Sequence, residues 1–354
     1  MTDQNGLKKI FVITDSTRTT GLGRYSKTLS IALDAHLISL RKDKTNPADK
    51  FNGAVINGLF PPFQNGWYLN QFYPSIFMRR FKEYMSINVG PMDIVHYSSQ
   101  TLTPLNNKCS KIITVHDLFA VNPKYNQNRV YRKAVERSLF KAKLFDHVLT
   151  VSDHVKTQLI NEGFSGNIQT IYPSIDSVFR PLFDKGTIRK KLNLPLDKKL
   201  VLCVAKGEPR KNLGSLKPTL EILGKDYVLV QVGFDIGNGI RFKDVDDEKL
   251  NLIYNACDVL IFPSFDEGFG YPLVEAMSVG LPVVASDIEV FKETAGKAAI
   301  LSEPSPAQLA KSVKEAINSR ESLINEGFLV AKKYTFEEFK GKIKQYYKEN
   351  IGLS

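Results

Sequence analysis

The chain has 354 residues, 43% of them apolar and 24% charged, enough for two core-bearing domains of ordinary globular composition. Its formal net charge is +11, and Cys109, Cys203 and Cys257 form no CxxC pair, which argues against a disulfide framework or zinc site and fits a reducing compartment. No run approaches the ~20 apolar residues of a membrane-spanning helix. The N-terminal MTDQNGLKKIFVITD does not read as a signal peptide, so a cytoplasmic chain is expected.

The basic excess is unevenly placed. Residues 1–180 carry 23 Lys and Arg against 13 Asp and Glu, whereas residues 181–354 carry 25 against 24. A surface of that kind attracts phosphates, of nucleic acid or of anionic lipid.

In chain order, KKIFVITD (8–15) reads as a strand, and TGLGRYSKTLSIALDA (20–35) as a Gly-rich turn leading into an amphipathic helix. Gly21 and Gly23 would let backbone N–H groups approach an anion at the helix N-terminus. A dinucleotide fingerprint would want a third glycine where Ser26 stands, and no acid ends the next strand, HLISL (36–40), to hold a ribose. Residues 58–86 are dense in aromatics and carry Arg79, Arg80 and Lys82; their end, 75–86, has the pattern of an amphipathic helix. Two readings stand for this segment: an excursion packed on the first domain, or an acceptor-side or membrane-surface patch. Strand-like runs recur at 93–97, 111–117, 146–152 and 167–172, with helices over 128–143 and 153–162. His116 and Asp117 end the second of these apolar runs, where a polar pair has the choice of a structural or a cleft-facing role.

Residues 172–186 hold two prolines and several turn formers and mark a domain boundary. A second alternation follows, with strands at 199–205, 227–233, 258–264, 281–286 and 297–301, and a helical tail. Alternating strands and helices of this kind build doubly wound parallel sheets. AKGEPRKNL (205–213) follows the first strand of this half, so Lys206, Arg210 and Lys211 cluster where a helix begins, an arrangement suited to a diphosphate or to a solvated loop. DVDDEK (244–249) holds Asp244 and Asp246 before a helix and reads as a capping cluster. SFDEGFGYPLVEA (264–276) places Glu267 on the loop after a strand and Glu275 about one turn into the next helix. Gly268 and Gly270 would supply the turn's backbone angles, and Pro272 suits the start of the helix.

In this order, these pieces resemble the retaining glycosyltransferases of the GT-B fold, family 4. The most specific part is EGFGYPLVEAMSVGLPVVASD, which is similar to that family's E-x7-E motif with the helix and strand after it. GLGRY, VHDL, TVSDH, IYPSID before FRP, and EPRKNL support it, so the resemblance covers nearly the whole chain. It implies an α/β architecture of two Rossmann-like domains facing across a cleft: residues 1–180 binding the acceptor, residues 181–335 binding a nucleotide sugar, and residues 336–354 as a helix returning to the first domain.

The resemblance also implies roles. Glu275 would bind the ribose hydroxyls, and Glu267 would contact the sugar near the reacting carbon without needing to be a covalent nucleophile. Lys211 would hold the diphosphate together with a basic residue that is usually Arg five positions earlier; here that position is Lys206, and Arg210 adjoins Lys211, so either is a candidate. His116 would approach the donor sugar, forming the catalytic set with Glu267 and Lys211. Phe269, Gly270 and Tyr271 would lie along the sugar and phosphates and offer backbone N–H groups, although the family commonly has Leu where Tyr271 stands. Gly21 and Gly23 complete the donor site, and Asp117 joins Arg79, Arg80 and Lys82 on the acceptor or membrane side.

The implied reaction moves a sugar from a UDP- or GDP-sugar to a hydroxyl, with retained anomeric configuration and without metal or cofactor. The expected partners are the nucleotide sugar, a glycan or lipid-linked acceptor, and an anionic membrane surface. Nucleic acid is not among them, since the basic half lacks a recognition-helix, zinc-finger or RNP-type signature. The alternatives are a non-catalytic sugar-nucleotide-binding protein and a nucleotide-sugar epimerase of related fold. Retention of Glu267 and Lys211 weighs against the first, and the E-x7-E pattern against the second.

Overall fold

The computed structural model describes residues 8–14, 16, 20–39, 93–100, 102, 109–119, 121–124 and 145–353. Arg79, Arg80, Lys82 and the helices expected over 75–86 and 128–143 lie outside them. The chain forms two compact units, one of Met1–Ser174 with Glu337–Ser354, the other of Ile175–Phe336.

Unit 1 is built on a six-stranded sheet of order β2-β1-β3-β4-β5-β6, with β1 Ile10–Thr14, β2 His36–Ser39, β3 Ile94–Tyr97, β4 Ser110–Val115, β5 His147–Thr150 and β6 Ile168–Thr170. Every pairing is parallel. β1 and β3 are buried along their whole length, as strands covered on both faces must be, which is why they read as mostly apolar runs. Helix α1, Gly21–Ala32, follows β1, and α2, Asp153–Asn161, follows β5. Ser152 caps α2 by accepting from Val155 N at 3.1 Å. The C-terminal helix, Phe336–Ile351, buries Phe339, Ile343, Tyr346, Tyr347 and Ile351.

Unit 2 has a second parallel sheet, of order β12-β11-β10-β7-β8-β9. Its strands are β7 Lys199–Val204, β8 Tyr227–Val232, β9 Ile240–Phe242, β10 Val259–Phe262, β11 Val283–Ser286 and β12 Ala299–Ser302. The helices are α3 Lys185–Lys191, α4 Leu216–Leu223, α5 Asp247–Ala256, α6 Tyr271–Ser278, α7 Glu289–Ala295, α8 Pro306–Asn318 and α9 Arg320–Ala331. Counted within the unit, this is the doubly wound order 3-2-1-4-5-6, whose direction reverses between β7 and β10; ligands of such sheets sit beyond the strand C-termini at that reversal. The register pairs Val201 with Val259 and Leu202 with Leu260, so the turns leaving β7 and β10 emerge side by side. Cys203 and Cys257 are buried, as their apolar surroundings predict, and Cys109 is buried too.

Asp258 locks the opposite ends of the same two strands. Its carboxylate accepts from Leu200 N, Lys185 Nζ and Arg189 Nη2, each at 2.7 Å. Burial pushes the Asp258 pKa up, but Lys185, Leu200 N and Arg189 outweigh burial and hold it below the ordinary carboxylate value.

Three local expectations change. TGLGRY is not a turn, because both glycines already lie in α1. The EPRK cations stand in a 3-10 turn, Pro209–Lys211, and a second such turn, Leu213–Ser215, precedes α4. Strand β9 was not expected; at three residues with none fully buried, it lacks the apolar run that marks the other strands.

Candidate active site

The geometry of unit 2 explains why one acid precedes the 264–276 turn and another follows it. β10 ends at Phe262, and the chain then turns through Pro263–Gly270 into α6. Of the two glycines, Gly270 has left-handed geometry, with φ +97°, and Gly268 does not. A Cβ at Gly270 would stand 2.9 Å from Phe291 Cε1, so only glycine fits without strain. Pro272 falls within the first turn of α6, where its missing N–H breaks no helical bond. Glu267 thus stays on the loop, and Glu275 lies in the middle of α6.

Glu267 is 6% exposed, and it is not a capping acid. Its Oε1 accepts from Ser264 Oγ at 2.8 Å and from Lys211 Nζ, and its Oε2 accepts from Arg210 Nη1 at 2.9 Å. Burial alone would raise its pKa. The Lys211 and Arg210 charges, with hydrogen bonds from Lys211 and Ser264, outweigh burial and hold the carboxyl below its ordinary value. Glu267 is therefore an ionised buried carboxylate at neutral pH.

Lys211 is 8% exposed, and its ammonium lies 5.1 Å from the Phe262 ring centroid. A desolvated cation over an aromatic face gains about 1–2 kcal/mol. The turn holding it is pinned to the β10 loop by Phe265 N, which donates to Arg210 O at 2.7 Å. Arg210 also donates to Asp266 O at 3.1 Å and pairs with Glu208 Oε2 at 2.8 Å. Lys206, two residues beyond β7, is solvent-exposed.

Glu275 is 2% exposed and accepts at Oε2 from Tyr254 Oη at 2.7 Å. Phe269 is 3% exposed, with its ring edge-on to Tyr271 and Tyr334 at 5.3 and 5.2 Å. The Phe269 side chain is thus part of the aromatic core, which leaves its backbone for any ligand contact. Asp246 caps α5 through Lys249 N at 2.8 Å, as its place before a helix predicts.

In unit 1, His116 follows β4 directly and is 9% exposed. Its Nε2 lies 2.9 Å from Ser98 O. A carbonyl only accepts, so Nε2 carries the proton and Nδ1 is left as the ring's acceptor. Burial drives the His116 pKa down to about 4 against the opposing pull of the Ser98 carbonyl, so the ring is neutral at pH 7. Tyr25 stands edge-on to it, with centroids 4.7 Å apart. Tyr25 Oη meets Thr114 Oγ1 at 3.0 Å, Thr114 Oγ1 meets His96 Nε2 at 2.7 Å, and His96 Nδ1 meets Tyr347 Oη at 2.7 Å. Asp117 accepts from Gln100 Nε2 through its backbone oxygen at 3.0 Å and its Oδ1 at 3.3 Å. At the start of α1, Gly23 N is already taken by the Thr20 cap at 3.0 Å, which removes one of the two amides expected to meet an anion.

Unit 2 therefore brings together Glu267, Lys211 and Arg210. Glu208, Ser264 and Tyr254 were missed by sequence reasoning. Glu208 was legible only as part of EPRK. Tyr254 meets Glu275 across 21 positions, and no local pattern announces such a pair.

Two family models match the chain. Glycosyltransferase Family 4 matches residues 19–179, and Glycosyl transferases group 1 matches residues 184–327. Together they span most of its length. The chain belongs to the group 1 glycosyltransferases of the GT-B fold. It is 27% identical over 284 residues to the O-antigen chain mannosyltransferase RfbU of Salmonella typhimurium, covering 75% of this chain and 76% of that one. Among solved structures, it resembles sucrose-phosphate synthase from Thermosynechococcus elongatus, with a TM-score of 0.77 at 19% identity over 98% of this chain and 100% of the other. HepE of Anabaena, in complex with UDP and glucose, matches with a TM-score of 0.76 at 16% identity over 97% and 100%. These structural likenesses fix the fold as two Rossmann-like domains, and the family makes the chain a glycosyltransferase. No helix among the described residues is long and apolar enough to cross a membrane.

Proposed function

We propose that this glycosyltransferase moves a sugar from a nucleoside diphosphate sugar to a hydroxyl of a glycan, with retained anomeric configuration and without a metal ion. The observation that carries the reading is the buried Glu267 carboxylate with Lys211 and Arg210 on it, set at the sheet's reversal point where such folds bind ligands. Departure of the sugar leaves negative charge on the diphosphate. Lys211 and a second cation, Lys206 or Arg210, would meet that charge, the task a divalent cation performs elsewhere. Glu275, held by Tyr254, suits a ribose diol, and the Phe269–Tyr271 backbone suits the sugar and phosphates. His116 would offer Nδ1 as an acceptor to a sugar hydroxyl, and neutral imidazole suits that better than imidazolium.

Both Glu267 oxygens are occupied by donors, so the carboxylate serves as a fixed charge beside a cation-like sugar rather than as an attacking nucleophile. The leaving phosphate then takes the acceptor's proton on the face where the bond breaks. The relative named as an O-antigen mannosyltransferase makes GDP-mannose the first donor to try and a lipid-linked glycan the first acceptor. With the basic excess of residues 1–180, it supports a cytoplasmic chain working at an anionic membrane surface. The test is NMR of the transfer product. An unchanged anomeric configuration, formed in EDTA, supports the reading; inversion or dependence on a divalent ion overturns that part of it. Sedimentation with phosphatidylglycerol vesicles at moderate salt tests the surface, and no binding argues against it.

A further inference from the structure

The basic side chains after β7 are not equivalent. Lys206 is exposed, and its ammonium makes no ion pair among the described residues. Lys211 makes one ion pair among the described residues, with Glu267. Arg210 engages both terminal nitrogens: Nη2 is 2.8 Å from Glu208 Oε2, while Nη1 is 3.1 Å from Asp266 O and 2.9 Å from Glu267 Oε2. An arginine that holds a diphosphate presents that fork to two phosphate oxygens. Presenting the Nη1–Nη2 fork would mean releasing Asp266 O or Glu267 at Nη1, where both N–H groups are engaged. Releasing Glu267 would strip a buried carboxylate of one of its two cations.

We propose that Arg210 is a positioning residue that fixes Glu267, braced by Glu208, and that it is not a ligand of the diphosphate. The inference rests on the proposed donor site and assigns roles within it. Arg210 ties three points of the two site loops together: the EPRK turn through Glu208, the β10 loop through Asp266 O, and the Glu267 carboxylate itself. Lys211 and Lys206 then remain for the phosphates. The Glu208–Arg210 pair is partly exposed, and such pairs add little to stability in water, so its effect falls on orientation.

The experiment compares Arg210→Met, Glu208→Gln and Lys211→Met with the unmodified chain. Calorimetric titration with UDP and GDP reads nucleotide affinity, hydrolysis of GDP-mannose and UDP-glucose by water reads turnover, and thermal unfolding checks the fold. The expected pattern for Arg210→Met is a turnover loss of about 100-fold, as for a reacting group displaced by about an ångström, with Kd within about threefold. Glu208→Gln, nearly isosteric, should lose about tenfold in turnover with Kd and unfolding midpoint unchanged, a split that a merely structural role does not give. Lys211→Met should weaken nucleotide binding by about 30-fold or more. If Arg210→Met weakens binding as much as Lys211→Met, the inference is overturned and the proposed function stands. If none of the three weakens binding, both fail.

Discussion

Replacing Glu267 by Gln tests the electrostatic design of the site most sharply. The substitution keeps the shape of the side chain and removes its charge. Lys211, 8% exposed, then loses its ion pair with Glu267, and Arg210 keeps its pair with Glu208. Removing one partner of a buried ion pair costs roughly 3–5 kcal/mol, because the other charge stays buried without compensation. Unit 2 spans Ile175–Phe336, a size at which each kcal/mol moves the midpoint by about 2–4 °C. The expected fall is therefore roughly 6–20 °C, read by differential scanning calorimetry with near-UV circular dichroism. Adding Lys211→Met should restore part of the loss, because it removes the stranded ammonium; a double-mutant cycle measures that coupling. A fall of less than about 2 °C for Glu267→Gln, or simple additivity with Lys211→Met, would refute the argument that this pair is buried and mutually dependent.

Three further outcomes follow from the same geometry. Tyr254→Phe removes the donor to Glu275 Oε2 and leaves a buried carboxylate short of a hydrogen bond; a stability loss of about 1–3 kcal/mol in urea unfolding, with weaker nucleotide binding, is expected. Gly270→Ala forces a Cβ to 2.9 Å from Phe291 at φ +97°, so a loss of about 1–3 kcal/mol with reduced turnover should follow, and an unaffected variant would contradict the turn geometry. Unit 1 should weaken as pH falls from 7 towards 4. Burial lowers the His116 pKa to about 4 and the His96 pKa to about 3, so the unfolded chain takes up protons below about 6.5 that the folded chain refuses. The stability present above that pH is lost progressively down to the folded values, on the order of 3 kcal/mol for His116 alone. Urea midpoints at pH 7, 6 and 5, followed by near-UV circular dichroism, check this, and a flat profile would contradict the burial of both rings.

Much of the fold was legible because buried parallel strands leave a simple mark. IFVIT, KLVLCV and VLIF are nearly continuous apolar runs, as expected where helices cover both faces of a parallel sheet. β9 escaped because a short edge strand needs no such run. The E-x7-E segment was legible because its turn demands a left-handed residue at 270 and its helix accepts Pro272. TGLGRY misled because two glycines in six residues suggest a turn, whereas the Thr20 cap starts the helix at once. The role of Tyr254 was not legible, because its partner Glu275 is brought near only by the folded sheet; Glu208 lies two residues from Arg210, but nothing in EPRK says that the two pair. Reading EPRK as a diphosphate site saw its charges but not Arg210's commitment to Glu267.

At the centre stands the proposed nucleotide-sugar site built on Glu267, Lys211 and Glu275. Its most direct test is the unfolding midpoint of the purified chain with UDP-, GDP- and ADP-sugars, measured beside Glu275→Ala. One donor at a hundred times its Kd should add about 2.7 kcal/mol of apparent stability, and that gain should vanish in Glu275→Ala. A chain that no donor stabilises, or one stabilised equally with and without Glu275, would contradict the claim.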